Sequence, residues 1–572
     1  MTFSGFVNGV RCTFQTQKNN GGYSCYYRFC KIASFLRRGK PGDFVISQHQ
    51  AKKPALTTPF INSPLSVKLV NAFTDPFKNA IATARTCYSS KGIITSEGVS
   101  MEKHAPLAQS IYEAGHHTTL QHAHFQFAIE GVSRHCIWSF LHSHPFYNSE
   151  QVSQRYVEVK EGSYLTPNFE NEEANVLYES EMRRLTDEYH RLIELLTPAV
   201  ETAYFDRFPH RKNRSAEYKK EIKKKAQEVA RYVLPISTTA YLYHTVSGIT
   251  LLRYWRLAKM TETPSETLAL VEAMVNELLR HDPNYRVVLE EPLDPADYPE
   301  AVFLNTYKSS DAKEFRKEFD RSLDGRFARL IDYKINAELT LASSVREVLG
   351  LPMNAMSDEE AIAFALDPSQ NTILGETMVL TTQSKLSRVL HNVHYTFRKR
   401  ISHAADSQDQ RHRMTPGSRP ILHMQLSDDT PDYITPAVVE YASEEAQELY
   451  RSSIERSWKS YARLRELGVK QEFAEYILPN ATAVRFSESG DLLSLHHKYA
   501  MRLCYNAQEE IWRASVDETE QIRRVHPRIG KYLLPPCNLR QMAGVRPICP
   551  EGARYCGVKV WKLDLSEYER VI

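Results

Sequence analysis

Apolar positions change their spacing along this chain. Short, aromatic-rich stretches at His124–Ile129 (HFQFAI) and His394–Phe397 read as strands. Leu177–Leu196, Leu251–Leu279 and Leu492–Ile511 place apolar residues at helical intervals and predict helices. Pro292–Ser322 holds proline and charge with no clear period, and Leu293–Tyr298 (LDPADY) within it reads as a linker. No apolar run approaches the roughly 20 residues a membrane span needs.

The pattern occurs twice. Lys68-Leu69-Val70-Asn71 leads to Ala80–Arg85, and Arg329-Leu330-Ile331-Asp332 leads to Thr340–Arg346 with the closing arginine at the same spacing. Gly131–Tyr156 pairs with Phe397–Arg413, and Ala230–Pro235 pairs with Ala474–Pro479. Three pairs in one order imply duplication, with offsets that drift as loop lengths differ. Each copy reads as strand, helices, strand and helical tail. The expected class is α/β (α+β), two copies of a small sheet flanked by long helices. The boundaries read as 1–60 extension, 61–285 copy 1, 286–322 linker, 323–545 copy 2 and 546–572 tail.

A chain of 572 residues is too long for one ordinary core. A formal charge of +3 does not suggest a dedicated nucleic-acid binder, and nine scattered cysteines fit a reducing compartment. Residues 1–60 carry nine Lys/Arg against the single acid Asp43, so they read as a disordered or locally packed extension, or as an organellar transit segment. A cytoplasmic location is the main expectation.

Two clusters carry chemistry. Ser153-Gln154-Arg155-Tyr156 puts a hydroxyl, an amide and a guanidinium in one turn, a set that can hold phosphate and a base edge; a capped helix start with an exposed arginine is the plainer reading. Arg411-His412-Arg413 is a donor cluster suited to pyrophosphate or a solvated basic turn, with Gln408 three residues before it. The His116, His117, His122, His124 stretch lacks a zinc-like partner set, and an orienting or strand-edge role is preferred to a metal. Cys537, Cys549 and Cys556 contain no CxxC element and read as buried thiols, with a structural metal completed by His526 as the alternative. No metal ligands are assigned. Lys219–Lys225 reads as a solvated helix face. No P-loop, Rossmann or GxSxG motif is present, and Cys136, beside Ile137 and Trp138, reads as buried and unreactive.

Gly115-His116-x-Thr118-x-Leu120-Gln121-His122, Phe125-x-Phe127, Ile129–Arg134 and Ser153–Val157 together resemble flavin-dependent thymidylate synthase. The family signature is Arg-His-Arg, seven residues, then Ser-x-Arg-Tyr. Ala230–Pro235 resembles its Ala-Arg-x-x-Leu-Pro segment, and Arg502 with Ala507–Ile511 resembles its last motif. The resemblance implies FAD, a dUMP-like substrate, methylenetetrahydrofolate as carbon donor, NADPH as reductant, and sites built where subunits meet. Carried over residue by residue, Gln151, Ser153, Gln154, Arg155 and Arg231 would hold the nucleotide with Gln408 and Arg411. Arg411, His412 and Arg413 would contact FAD phosphates, and His122 would border the flavin. Arg502 would polarise the pyrimidine, with Ser153 beside it. A tetrameric family and tandem copies imply a homodimer, with neither a membrane nor a nucleic acid as partner.

Each copy departs from the signature. Copy 1 has His142-Ser143-His144 in place of Arg-His-Arg, one extra residue before Ser153, and Ala258 in place of Arg502. Copy 2 has Glu475 in place of Arg231, Asn392 in place of His122 and no Ser-x-Arg-Tyr. The losses alternate, which is what one shared site between copies would leave, or a flavin- or nucleotide-binding subunit without activity, or an enzyme for another pyrimidine.

Overall fold

A computed structural model of the chain describes strands within residues 2–24, then residues 60–62, 65–300, 303, 312–570 and 572. Met1–Thr57 and Thr58–Ile572 are separate compact units. The first contains two hairpins, Thr2–Val7 with Val10–Gln15 and Gln17–Asn19 with Gly22–Ser24. The targeting reading rests largely on residues outside those described.

In the second unit, strands are numbered from Ser66. β1 (Ser66–Ala72), β2 (His124–Ser133), β3 (Asn148–Gln151) and β4 (Thr239–Ser247) form one antiparallel sheet in the order β1-β2-β4-β3. β5 (Ala328–Tyr333), β6 (His394–Ser402), β7 (Gly417–Ser418) and β8 (Ala483–Asp491) form a second in the order β5-β6-β8-β7. The duplication extends to an irregularity: β1 bulges between Leu69 and Asn71, and β5 between Leu330 and Asp332. β2 and β6 run beyond the predicted ends because alternation continues, with Phe125, Phe127 and Ile129 buried in one and Tyr395, Phe397 and Ile401 in the other.

Three further boundaries differ from expectation. Leu251–Leu279 is two helices, Gly248–Leu257 and Pro264–His281, parted where Pro264 enters at the first helical turn. Leu492–Ile511 likewise divides into Leu492–Arg502 and Glu509–Val525, with extended Gln508 between them. The expected linker contains the helix Ala312–Leu323, whose Asp320 pairs at 2.6 Å with Arg485 of β8, so this segment packs with copy 2. The 546–572 tail also packs on copy 2, burying Val560, Leu565 and Tyr568.

Each copy has its own core, and a third core is common to both. The long helices Glu172–Arg207 and Glu444–Glu466 meet there, burying Tyr178, Tyr189, Tyr450 and Trp458. Burying such side chains stabilises by roughly 1.5–3 kcal/mol each. At its centre the Leu-Pro segments pair across a local twofold: Ile236 N–H donates to Leu478 O and Asn480 N–H to Leu234 O, both at 2.8 Å. Side chains repeat the exchange. Glu266 accepts from Ser133 N–H and Oγ of its own copy and from Tyr476 Oη of the other at 2.5 Å. Glu510 accepts from Ser402 N–H and Oγ and from Tyr232 Oη, also at 2.5 Å.

Tyr232→Phe and Tyr476→Phe therefore each deprive a buried carboxylate of a cross-copy donor. Each is expected to lose about 1.5–3 kcal/mol in urea unfolding, with the 58–572 unit still melting in a single transition. Two separate transitions in the unsubstituted protein would contradict a common core.

Candidate active site

Ser133 and Ser402 cap equivalent turns, accepting from Cys136 N–H and Ala405 N–H. Counting on from these caps places His142-Ser143-His144 where copy 2 has Arg411-His412-Arg413. Further on, Glu150 pairs with Tyr243 and Ser418 with Ser487, so β3 and β7 correspond with one residue fewer in copy 2. The extra residue of copy 1 thus falls in the turn between His144 and Asn148. By the same register, copy 2 has Ile421-Leu422-His423-Met424 where copy 1 has Ser153-Gln154-Arg155-Tyr156.

The two retained halves meet within one chain. Arg155 donates to Asn506 O at 2.8 Å, approaches Gln408 Oε1 at 3.5 Å and pairs with Glu228 at 3.0 Å. Arg411 donates to Ser149 O at 2.9 Å and pairs with Glu150 at 3.1 Å. Arg413 lies 5.2 Å over the Tyr147 ring. Arg502 donates to Gln408 O and Arg231 to Gln508 Oε1, each at 2.8 Å, while Gln408 donates to the same Gln508 oxygen. Asn480 joins Gln154 Oε1 at 3.4 Å. Ser153 Oγ accepts from Arg155 N–H at 3.3 Å and closes the turn. A cavity of about 420 Å³ lies against Arg411, Arg413, Gln126, Tyr147 and Ser149. His122 makes none of these contacts and is exposed on the turn leading into β2.

Arg155 and Arg411 have carboxylate partners, whereas Arg231, Arg413 and Arg502 have no ion pair among the described residues. Burial lowers the Arg502 guanidinium to about 10, with Asp409 and Glu488 opposing the shift and Arg155 and Arg411 adding repulsion. Burial, Arg231 and Arg411 lower Arg134, which the sequence reading did not assign, to about 9. Arg134 follows the Ser133 cap and donates to Val152 O at 2.6 Å. Burial and Arg502 hold His412 neutral. Gln151 Oε1, Gln154 Nε2, Arg155 Nε, Arg502 Nε, His412 Nε2 and Ser149 Oγ are buried without hydrogen-bond partners. Buried polar atoms are seldom left unpaired, so this set fits a polar, anionic ligand such as a nucleotide or a flavin dinucleotide.

Beneath the Arg411 turn lies a buried ionic core that periodicity could not reveal. Lys399 pairs with Asp409, with Glu488 at 2.9 Å and with Glu518 at 3.1 Å; Lys498 pairs with Glu488 at 2.6 Å. Copy 1 has Phe140, His244 and Tyr254 at the places of Asp409, Glu488 and Lys498. There the rings pack instead: His142 stacks on Tyr147 at 4.6 Å, and Tyr254 Oη meets His144 and His244 nitrogens at 2.8 and 3.0 Å.

The counterpart of the composite site is rebuilt. Glu475, at the place of Arg231, lies 3.2 Å from His135 and 3.1 Å from His423, which stands where Arg155 does in the other half. Burial opposes ionisation of Glu475, but the two histidines override it and hold the carboxyl at about 2. Glu262, at the place of Asn506, is raised to about 7 by burial and accepts Leu422 N–H at 2.7 Å. Ligand atoms of His135, Glu262 and Glu475 fall within 4.8 Å of one another. A cavity of about 680 Å³ opens beside Glu262, His423 and His144. No guanidinium fork faces it from the positions of Arg155, Arg231 or Arg502.

The chain is a duplicated α/β protein in which guanidinium groups of the two copies come close together. The chain belongs to the thymidylate synthase complementing protein family, which matches residues 68–284 and 329–528. It is 29% identical over 154 residues to the flavin-dependent thymidylate synthase of Saccharolobus solfataricus, covering 27% of this chain and 58% of that protein. It is 28% identical over 224 residues to that of Clostridium tetani, covering 38% and 84%. The Geobacter sulfurreducens enzyme is 29% identical over 171 residues, covering 30% and 70%. The chain spans under three fifths of the length of the Saccharolobus relative. Among the described residues no helix is long and apolar enough to cross a membrane.

Glu475 supplies a pH test of the rebuilt counterpart. Its folded value lies below its ordinary 4.5, so its contribution is present above about 4.5 and lost as pH falls towards 2. His135 and His423 are raised above 6.5 by Glu475 against the effect of burial, so their share is full below 6.5 and lost as pH rises through their folded values. Chemical denaturation between pH 2 and 5 should show an acid loss on the order of 3 kcal/mol that Glu475→Gln lacks. An unchanged acid profile in that variant would refute the assignment.

Proposed function

We propose that the chain is a flavin-dependent thymidylate synthase in which the two copies share a single working site. One observation carries the reading: each copy lacks part of the family's donor set, and the retained parts touch at Arg155 with Gln408 and at Arg411 with Ser149. The relatives' activity and the unpaired buried polar atoms support it. The reaction is reductive transfer of one carbon to C5 of dUMP, with methylenetetrahydrofolate as donor and NADPH as reductant.

Each residue has a role that its surroundings suit. Gln151, Ser153, Gln154 and Arg155 hold the nucleotide, with Arg231 and Gln408 fixing the turn that presents Arg155. Arg411 reaches the nucleotide phosphate from copy 2, and Arg411, His412 and Arg413 grip the dinucleotide phosphates. FAD supplies the electrons that reduce the transferred carbon. Arg502, buried and without a direct ion-pair partner, polarises the pyrimidine carbonyl as negative charge develops there. No enzyme nucleophile is required, in keeping with Cys136, whose thiol burial pushes up and out of use. Pairing of two chains into four copies is the assembly that matches a tetrameric family.

Purified protein should be yellow and should oxidise NADPH in the presence of dUMP. Arg155→Ala and Arg411→Ala, one from each copy, should each weaken dUMP binding by about 30-fold or more, with the double variant little worse than either. Independent half-losses of binding stoichiometry would instead indicate two separate sites. A colourless protein that ignores added FAD would overturn the reading.

A further inference from the structure

In the rebuilt counterpart of the composite site the charge is reversed. Glu475 stands at the place of Arg231, His423 at that of Arg155 and Ala258 at that of Arg502. Glu262 stands at the place of Asn506, and His135, counted from the Ser133 and Ser402 caps, at that of Ala404. Three guanidinium groups are gone, and two carboxylates and two imidazoles have come in. Such a set no longer suits an anion; it suits a divalent cation. The sequence pointed elsewhere for a metal. Cys537, Cys549 and Cys556 do line one small cavity with Cys504, but His526, their expected partner, is placed with Tyr395 Oη at 3.0 Å.

The ligand atoms converge. One from each of His135, Glu262 and Glu475 lies within 4.8 Å of the other two. A tetrahedral zinc with bonds of about 2.0–2.2 Å spaces its ligands by roughly 3.4 Å, so a shift of about 1 Å closes the set. Glu262, half-buried on a cavity wall, is the member free to make it. His135 and Glu475 are wholly buried. His135 Nε2 and Glu475 Oε2 lie 3.2 Å apart, yet neither atom makes a hydrogen bond. A plain imidazolium–carboxylate pair aligns its N–H with the oxygen; two unpaired buried atoms side by side are satisfied by a cation bound to both. The other carboxylate oxygens are already fixed. Gln471 Nε2 donates to Glu475 Oε1 at 2.8 Å, and Leu422 N–H to Glu262 Oε2 at 2.7 Å. Carboxylates that ligate metals are held by outer contacts of this kind.

We propose that His135, Glu262 and Glu475 bind one divalent transition-metal ion, with zinc as the expected occupant. One imidazole and two carboxylates are donors that zinc takes in sites with three protein ligands and a position left for water. Space for that position exists, since Glu262 borders cavities of about 680 and 250 Å³. His423 Nδ1, at 3.1 Å from Glu475 Oε1, stands behind the ligands and steadies the carboxylate. His135 and Glu262 belong to copy 1 and Glu475 to copy 2, so the ion clamps the two halves together.

The test strips the tag-free full chain with EDTA, reloads it with zinc, and reads retained metal by mass spectrometry and affinity by competition with a chromophoric chelator. About one zinc per chain is expected, and the melting temperature should rise as zinc is added, because the ion binds the folded state. Glu262→Gln and Glu475→Gln should each weaken zinc binding by about 100-fold or more, and Gln471→Ala, which keeps all three ligands, by about 10-fold. His210→Gln, at an exposed histidine, should bind as the unsubstituted chain does. Circular dichroism checks each fold, and Glu262→Gln, at a half-buried position, decides if Glu475→Gln does not fold. A chain that retains no zinc, or a Glu262→Gln variant that holds it as tightly as the unsubstituted protein, overturns the site. The acid unfolding that reads Glu475 is carried out on the EDTA-treated chain, where no ion competes. FAD and dUMP binding are read separately, and neither outcome depends on them.

Discussion

The exchange of backbone hydrogen bonds between Leu234-Pro235 and Leu478-Pro479 is the constraint on which the rest depends. It sets two α/β halves face to face about a local twofold. It also carries Tyr232 and Tyr476 across to the buried carboxylates Glu510 and Glu266. Those carboxylates bond the caps Ser402 and Ser133, and the caps start the turns that end in Arg411-His412-Arg413 and His142-Ser143-His144. One pairing thus fixes the core, the caps and the reach of the ligand-facing turns. A buried carboxylate stripped of its donor is expensive, so neither half can shift alone without leaving one unpaired.

A twofold made from a single chain is free to become asymmetric. In an oligomer of identical subunits a substitution appears in every site. Here each position occurs once, so one composite site can keep its guanidinium groups while its counterpart is repacked. The repacking is chemically coherent. Arg231 and Arg155 correspond to Glu475 and His423, and the pair has become a His–Glu–His ion cluster with its own charge balance. Asp409, Glu488 and Lys498 correspond to Phe140, His244 and Tyr254, and an ionic support has become an aromatic one. An ionic network beneath a basic turn stays useful only while that turn is basic. Its replacement in copy 1 by rings is the change expected once His142 and His144 had taken the arginine positions, since partly satisfied buried charge is worse than an apolar core.

The duplication and the sheet-and-helix class were legible because they reside in local pattern, and so were the two motif stretches that the fold brings near each other. Ser153–Tyr156 and Arg411–Arg413 each stand in one short stretch. What escaped lay in three dimensions. Arg134 follows a strand and reads as an ordinary boundary residue, and the Lys399–Asp409–Glu488–Glu518 group comes from four separate elements. The linker helix Ala312–Leu323 was missed because its high charge masks one apolar face, which buries Phe319 and Leu323.

The most consequential misreading was the continuous helix over Leu492–Ile511. Apolar spacing supports it, yet the chain opens at Leu503 and resumes at Glu509. A local rule that fails at one place is where function is to be sought. The opened segment turns Asn506 O towards Arg155, sends the Gln508 amide to Arg231 and Gln408, and points Cys504 the other way, into the cysteine cavity. A helix would have buried these groups in its own hydrogen bonds and spread them around its circumference. Interrupting it places ligand-facing amides on one side of a short loop and a thiol on the other. The back of the loop is held by Arg570, which donates to Ala507 O at 2.8 Å.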